Sequence, residues 1–216
     1  APLPRFQWNF SRLETAEVTG KLHGSAQITA GVLELPKPEA YFQSMPITRD
    51  IREKTLSVWV RLSDLQQGGG AALSLEQADG RVFDALVFGE RQPRKWTAGS
   101  EGFQRTRDLQ APEESEALGG WVHMAAVYSA DRKVALYRNG QPYGEPYEVP
   151  ALVTFLAGNA RIAIGRRHEN GGKPWLTGGV RQAALHDRVL SPLEIQAVFR
   201  EGGGGPSLTE ALAYLT

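Results

Sequence analysis

The sequence predicts an all-β protein: an antiparallel sandwich or barrel with one short helix near its C-terminal end. Three observations carry that expectation. Short runs of alternating apolar and polar residues recur along most of the chain. Turns rich in Gly, Pro and Asn separate them. Only the stretch beginning at Ser191 shows a full set of helix-start signals ahead of an apolar pattern.

Phe6-Gln7-Trp8-Asn9-Phe10 alternates aromatic and polar residues, as a half-buried strand does, and Gly31 to Leu35 is a short run closed by Pro36. In Leu56 to Leu62, the period of two puts Leu56, Val58, Val60 and Leu62 on one face. Ala71 to Leu75 and Val82 to Phe88 flank Asp79-Gly80, a hairpin signal because both residues tolerate positive φ. Trp121 to Tyr128 is expected to pair with Val134 to Arg138, after which Asn139-Gly140 turns the chain. Arg161 to Gly165 and Val180 to His186 supply the last strands.

The helix should start with Ser191 as cap, Pro192 in its first turn and Glu194 completing a capping box, and run to about Arg200. Gly202 to Gly205 and Pro206 read as a flexible linker, and Ser207 to Glu210 repeats the capping pattern. The expected organisation is one domain over residues 1–201, followed by a linker and the start of another segment over 202–216. The chain reads as a mature protein or a fragment of a longer one.

Composition narrows the function. Among 216 residues, Lys plus Arg and Asp plus Glu number 24 each, so the net charge is zero. A nucleic-acid binder would normally carry a basic excess, so nucleic acid is not an expected partner. No apolar run approaches the ~18–20 residues that cross a bilayer, so membrane insertion is not expected either. The absence of cysteine removes disulfides, thiolate nucleophiles and Cys-based metal sites.

Three features together resemble the laminin-G-like, concanavalin A-like jelly-roll superfamily. These are Leu56 to Leu62 (LSVWVRL), the hairpin WVHMAAVY…VALYRNG from Trp121 to Gly140, and IAIG (Ile162 to Gly165) followed by ALHDRVLSPLEI (Ala184 to Ile195). The segment REKTLSVWVRL…RVFDALVFGERQPRKWTAGSEGF is similar to domains embedded in large planctomycete-type bacterial proteins that also carry cytochrome-c-like domains. The resemblance implies a non-catalytic, extracytoplasmic module. It makes Trp121 and His123 structural features of a hairpin, with His123 facing away from Met124, Ala126 and Tyr128.

The fold also hosts glycoside hydrolases, whose retaining members need two carboxylates about 5–5.5 Å apart. The Glu-x-Asp-x-x-Glu arrangement of the jelly-roll glucanases is missing. Glu113-Glu114-Ser115-Glu116 falls in a loop and reads as a solvated surface. Asp84 interrupts an apolar strand and is expected either in a salt bridge to an Arg or as a polar group on a ligand-binding face. Many relatives bind calcium through an Asp-Glu pair on the last strand, but those positions here are Arg181 and Gln182, so no metal is expected there. The four histidines show no metal spacing, no glycine run continues into a phosphate loop, and Gly-x-Ser-x-Gly is absent. No cofactor is expected.

Two loops, Glu90 to Arg107 and Arg166 to Trp175, are basic and aromatic. If they meet at one rim, Arg94, Trp96, Arg105, Arg166, His168 and Trp175 would form a ligand site, the aromatics stacking on sugar rings and the cations pairing with anionic groups. The expectation is a carbohydrate-binding module, with acidic polysaccharide as one ligand class. The alternative is a structural domain that packs against neighbouring domains of a parent protein.

Overall fold

The computed structural model describes residues 2–10 and 20–203; the expected linker beyond Gly203 and the second capping pattern lie outside the described residues. Fifteen strands are present among those residues: β1 Phe6–Asn9, β2 Gly20–His23, β3 Gln27–Thr29, β4 Val32–Leu35, β5 Tyr41–Ser44, β6 Lys54–Leu62, β7 Gly70–Gln77, β8 Phe83–Phe88, β9 Trp96–Ser100, β10 Val122–Ser129, β11 Lys133–Arg138, β12 Gln141–Pro142, β13 Tyr147–Glu148, β14 Ala160–Ile164 and β15 Gly178–His186. They form two antiparallel sheets. The nine-stranded sheet runs β12-β11-β10-β6-β15-β4-β3, with β1 on β15 and β13 on β11; the six-stranded sheet runs β2-β5-β14-β7-β8-β9.

The period of two decides what each strand contributes to the core. Leu56, Val58, Val60 and Leu62 of β6 face inward with Met124, Ala126 and Tyr128 of β10, against Leu73, Leu75, Leu86 and Phe88 of the opposite sheet. The β11–β12 turn works because Asn139 and Gly140 both take positive φ, at 50° and 76°. Asn139 also locks the hairpin sideways, since its Oδ1 accepts from the His123 backbone N–H at 2.9 Å.

Helix α1, Pro192–Glu201, closes the outer face of the nine-stranded sheet. Its capping box is complete: Ser191 Oγ accepts from the Glu194 N–H, and the Glu194 carboxylate accepts from the Ser191 N–H. Ile195 packs with Ala125, Val127 and Tyr137, while Phe199 stacks on Trp59 at 5.4 Å. His123 lies beneath, 5.3 Å from the Trp59 ring, fully buried and opposite Trp59 in the β10–β6 register. It is a packing residue under the helix. Burial, aided by the nearby Arg181 charge, drops its pKa to about 3.

Between the sheets sits a charged group. Lys54 of β6 and Asp84 of β8 are both fully buried, and Lys54 Nζ lies 2.7 Å from Asp84 Oδ2. Asp84 Oδ1 accepts from Arg105 Nε at 2.7 Å, and Arg105 in turn is clamped by Glu101 through both terminal nitrogens. The Lys54 ammonium also lies 4.3 Å over the Tyr128 ring and 5.0 Å over the Phe155 ring. Asp84 therefore meets the salt-bridge expectation, with a second cation the sequence did not show.

The acidic loop requires a correction. Glu114 is not on a solvated surface but buried. It accepts from Trp96 Nε1 at 3.0 Å, from Arg138 Nε and Nη2 at 2.9 and 2.8 Å, and from the Glu116 and Ala117 backbone N–H groups. Burial pushes its carboxyl up, but these donors outweigh it and bring the pKa down to about 2.

Two outcomes follow. Asp84→Ala leaves Lys54 and Arg105 buried without their shared carboxylate, and urea unfolding should show a loss of about 3–5 kcal/mol. His123 is neutral in the folded chain down to about pH 3, whereas the unfolded chain takes up the proton below its ordinary value of about 6.5. The unfolded state then binds more protons, so stability falls as pH drops below that value. Between pH 7 and 5, wild type should lose about 2 kcal/mol more than His123→Phe in paired denaturation curves.

Candidate binding site

The two basic, aromatic loops do meet, but of the six expected residues only His168 lines the cavity between them. The loop from β14 to β15 lies across the outer face of the six-stranded sheet. Arg166 Nη2 donates to Glu76 Oε1 of β7 at 2.6 Å, and the Glu169 backbone N–H donates to Glu76 Oε2 at 2.7 Å. The His168 ring stacks on Phe83 at 4.2 Å and 10°, and Arg167 pairs with Glu90. The Asp79-Gly80 turn packs directly beneath: a Cβ on Gly80, whose φ is +69°, would come within 2.6 Å of the Glu169 carbonyl oxygen.

Where this loop faces the 3-10 turn Glu101–Phe103, a cavity of about 490 Å³ opens at the rim. Its wall includes Asp79, Phe83, Glu101, Phe103, His168 and Asn170. Every wall carboxylate but one is tied to a buried or half-buried guanidinium. Glu101 holds Arg105, Glu169 holds Arg161 and Arg166, and Glu90 holds Arg167. Burial raises the Glu90 carboxyl while Arg167 opposes it. His168 has its pKa lowered by burial and by Arg167, so its imidazole is neutral at pH 7, with Nδ1 2.9 Å from the Glu169 carbonyl.

Phe103 stands apart from the rest of the wall. It is 42% exposed, is one of only a few large apolar side chains left open among the described residues, and has φ of 57°. A phenylalanine in the left-handed region is strained by roughly 1 kcal/mol or more. The preceding Gly102 shares the conformation at 52° without that penalty. Phe103 recovers no core burial in return; among the described residues its one ring contact is the Arg91 guanidinium at 4.9 Å.

Among the expected residues, His168 alone lines this cavity. Trp96 is 1% exposed with its indole N–H bound to Glu114, so no ring face is left for a sugar. Arg105 is 3% exposed and consumed by Asp84 and Glu101; Arg166, equally buried, is consumed by Glu76 and Glu169. Arg94 is half-buried near Glu113 at 3.4 Å, with Nη2 on the Glu114 carbonyl. Trp175 is half-buried, 5.6 Å from Tyr41. Tyr41 in turn stacks on His23 at 4.3 Å and carries the Arg166 guanidinium at 4.2 Å. Arg105 and Arg166 are held in internal ion pairs and Arg94 pairs with the exposed Glu113, so the charge these three would offer an acidic ligand is already matched. Phe103 itself lay inside the loop the sequence singled out, but a left-handed φ leaves no signature in residue type.

Comparison with known proteins places these features in context. A family model described as the concanavalin A-like lectin/glucanases superfamily, of laminin G type, matches residues 38–196. A search of curated proteins gave no match. Among solved structures, domain 4 of AbnA, a GH43 extracellular arabinanase from Geobacillus stearothermophilus in complex with arabinotriose, is similar at TM-score 0.65 and 14% identity. That alignment covers 89% of this chain and 96% of that one. The native heptameric SAP-like pentraxin from Limulus polyphemus gives 0.62 and 19% over 78% and 80%. The CBM40 of the Ruminococcus gnavus IT-sialidase bound to α2,3 sialyllactose gives 0.52 and 14% over 69% and 83%. At these identities the likeness is one of fold.

The hub at Glu114 gives a direct check. Glu114→Ala should destabilise the domain by about 3 kcal/mol, because Arg138 and the Trp96 N–H lose their shared acceptor. The fluorescence of Trp96 should shift toward that of a solvated indole in the same variant.

Proposed function

The chain belongs to the concanavalin A-like lectin/glucanases superfamily, and from that premise we propose that it is a non-catalytic carbohydrate-binding module whose ligand site is the rim cavity. One observation carries the reading: an exposed phenylalanine held in a strained conformation beside a cavity walled by hydrogen-bonding groups. Strain kept at an exposed aromatic is stored where a partner can use it, and a ring face at the mouth of a polar cavity suits a sugar's apolar face.

In this reading Phe103 stacks on a sugar ring. Asp79, Asn170 and the neutral His168 exchange hydrogen bonds with its hydroxyls. The Glu101–Arg105 and Glu169–Arg166 pairs hold the wall in place before the ligand arrives, which reduces the ordering cost of binding. The ligand class is uncharged oligosaccharide, since the guanidinium groups nearby are already paired. The same pairing supports the non-catalytic part, because Glu101, Glu169 and Glu90 are committed to arginines rather than poised to transfer a proton. Sugars bound by domain 4 of AbnA and by the sialidase CBM40 support a glycan as ligand for this fold. An extracytoplasmic setting is part of the same proposal, and no helix of the described residues is long and apolar enough to cross a membrane.

A glycan array, followed by titration calorimetry on the best uncharged hit, tests this. Phe103→Ala should weaken binding at least tenfold, equivalent to about 1.4 kcal/mol. Phe103→Gly should abolish binding yet raise stability by up to about 1 kcal/mol, because it relieves the backbone strain. Wild-type affinity in Phe103→Ala would sink the reading.

A further inference from the structure

A groove crosses the other side of the sandwich, on the outer face of the nine-stranded sheet beside the end of α1. Two adjoining hollows of about 280 and 380 Å³ make it up, and both are bordered by Asn9, Gln182, Glu201 and Gly202. The register opposes Gln7 to Ala184 and Asn9 to Gln182 across β1 and β15. The period of two turns these side chains outward, and the small Ala184 leaves a depression between larger neighbours. His186, next along β15 on that face, extends the polar lining.

A β-bulge shapes the middle of the groove. The pairing of β15 with β6 shifts register between Val180 and Gln182. Val180 and Ala183 both enter the core, so Arg181 and Gln182 face outward in succession, and both border the larger hollow. The Arg181 guanidinium lies 4.0 Å over the Trp59 ring and 5.3 Å from that of Trp121, and Nη2 donates to the Gly202 carbonyl at 2.6 Å.

Arg181 breaks a rule that the other described arginines of its burial keep. The other buried or half-buried arginines, Arg61, Arg94, Arg105, Arg138, Arg161, Arg166 and Arg167, each pair with a carboxylate. Arg181 forms no ion pair with a described residue, although it borders the larger hollow, and burial lowers its pKa with no carboxylate to offset it. A half-buried cation without a carboxylate partner is stabilised by an anion.

We propose that this groove is a second ligand site, selective for sugars that carry a carboxylate. The carboxylate pairs with the guanidinium of Arg181, and the amides of Gln182 and Gln7 bind the hydroxyls of the flanking rings. The site is separate from the rim cavity and does not depend on it.

Titration calorimetry with a short oligogalacturonate and the matching uncharged oligogalactan, at low and high salt, tests this on the purified domain. The oligogalacturonate should bind and weaken with salt, and the uncharged sugar should bind at least tenfold more weakly to this groove. Gln182→Glu adds a charge at a half-buried surface position with little threat to folding, and it should cost at least tenfold in oligogalacturonate affinity. Phe103→Ala should leave that affinity unchanged. Equal binding of the two sugars to Phe103→Ala, whose rim site is disabled, no binding of the oligogalacturonate, or an unaffected Gln182→Glu would overturn the proposal. Loss of oligogalacturonate binding in Phe103→Ala would also overturn it, placing the acid at the rim instead.

Discussion

The carboxylate of Asp84 is the point on which the arrangement turns. It lies between the sheets, where one oxygen meets Lys54 of the opposite sheet and the other meets Arg105. A buried ion pair of this kind adds little net stability compared with a well-packed apolar replacement, because desolvating two charges costs several kcal/mol each. What it supplies is placement. A strand slipped by one residue would turn Asp84 to the outer face and leave Lys54 buried alone, so the register of β8 is held by the cost of the alternative. From Arg105 the chain of contacts runs to Glu101, and the Glu101 carboxylate also takes the Phe83 N–H at 3.1 Å. The turn that carries Phe103 to the rim is thus anchored in the middle of the core.

Much of this was legible in the sequence, for physical reasons that can be named. Alternation in Leu56 to Leu62 and in His123 to Tyr128 identified strands and the faces they bury, because a half-buried sheet cannot be built without that period. Ser191-Pro192-Leu193-Glu194 announced the helix, since unsatisfied N–H groups at a helix start need those side chains. A charge in the middle of Val82 to Phe88 announced a partner, because an isolated charge in a core is too costly to keep. Strand β9 was not legible. Trp96-Thr97-Ala98-Gly99-Ser100 is short and small-sided, with a glycine that suggests a turn, and only its neighbour β8 makes it a strand.

The site fared less well than the fold, and the reason is instructive. Arg and Trp in loops resemble a ligand surface because those residue types make the strongest directional contacts. The same property lets a protein spend them on itself. Trp96 and Arg138 close on Glu114, and Arg166 closes on Glu76; neither acid is near its partner in the chain. Whether an arginine faces outward or inward is decided by carboxylates up to 90 positions away. Composition shows that acids and bases balance but not which ones meet. Arg181 is the informative exception: it sits where the resemblance to calcium-binding relatives would place an acid, and no acid among the described residues pairs with it.

Both described ends of the chain lie on one side of the sandwich. Strand β1 runs along β15 on the nine-stranded sheet, the Pro2 carbonyl reaches His186, and Gly202 at the end of α1 is held by Arg181. The rim cavity belongs to the six-stranded sheet on the opposite side. The chain thus enters and leaves the described fold behind the rim, and Phe103 is presented from the opposite side, as on the free end of a bracket. The groove at Arg181 shares its side with both described ends.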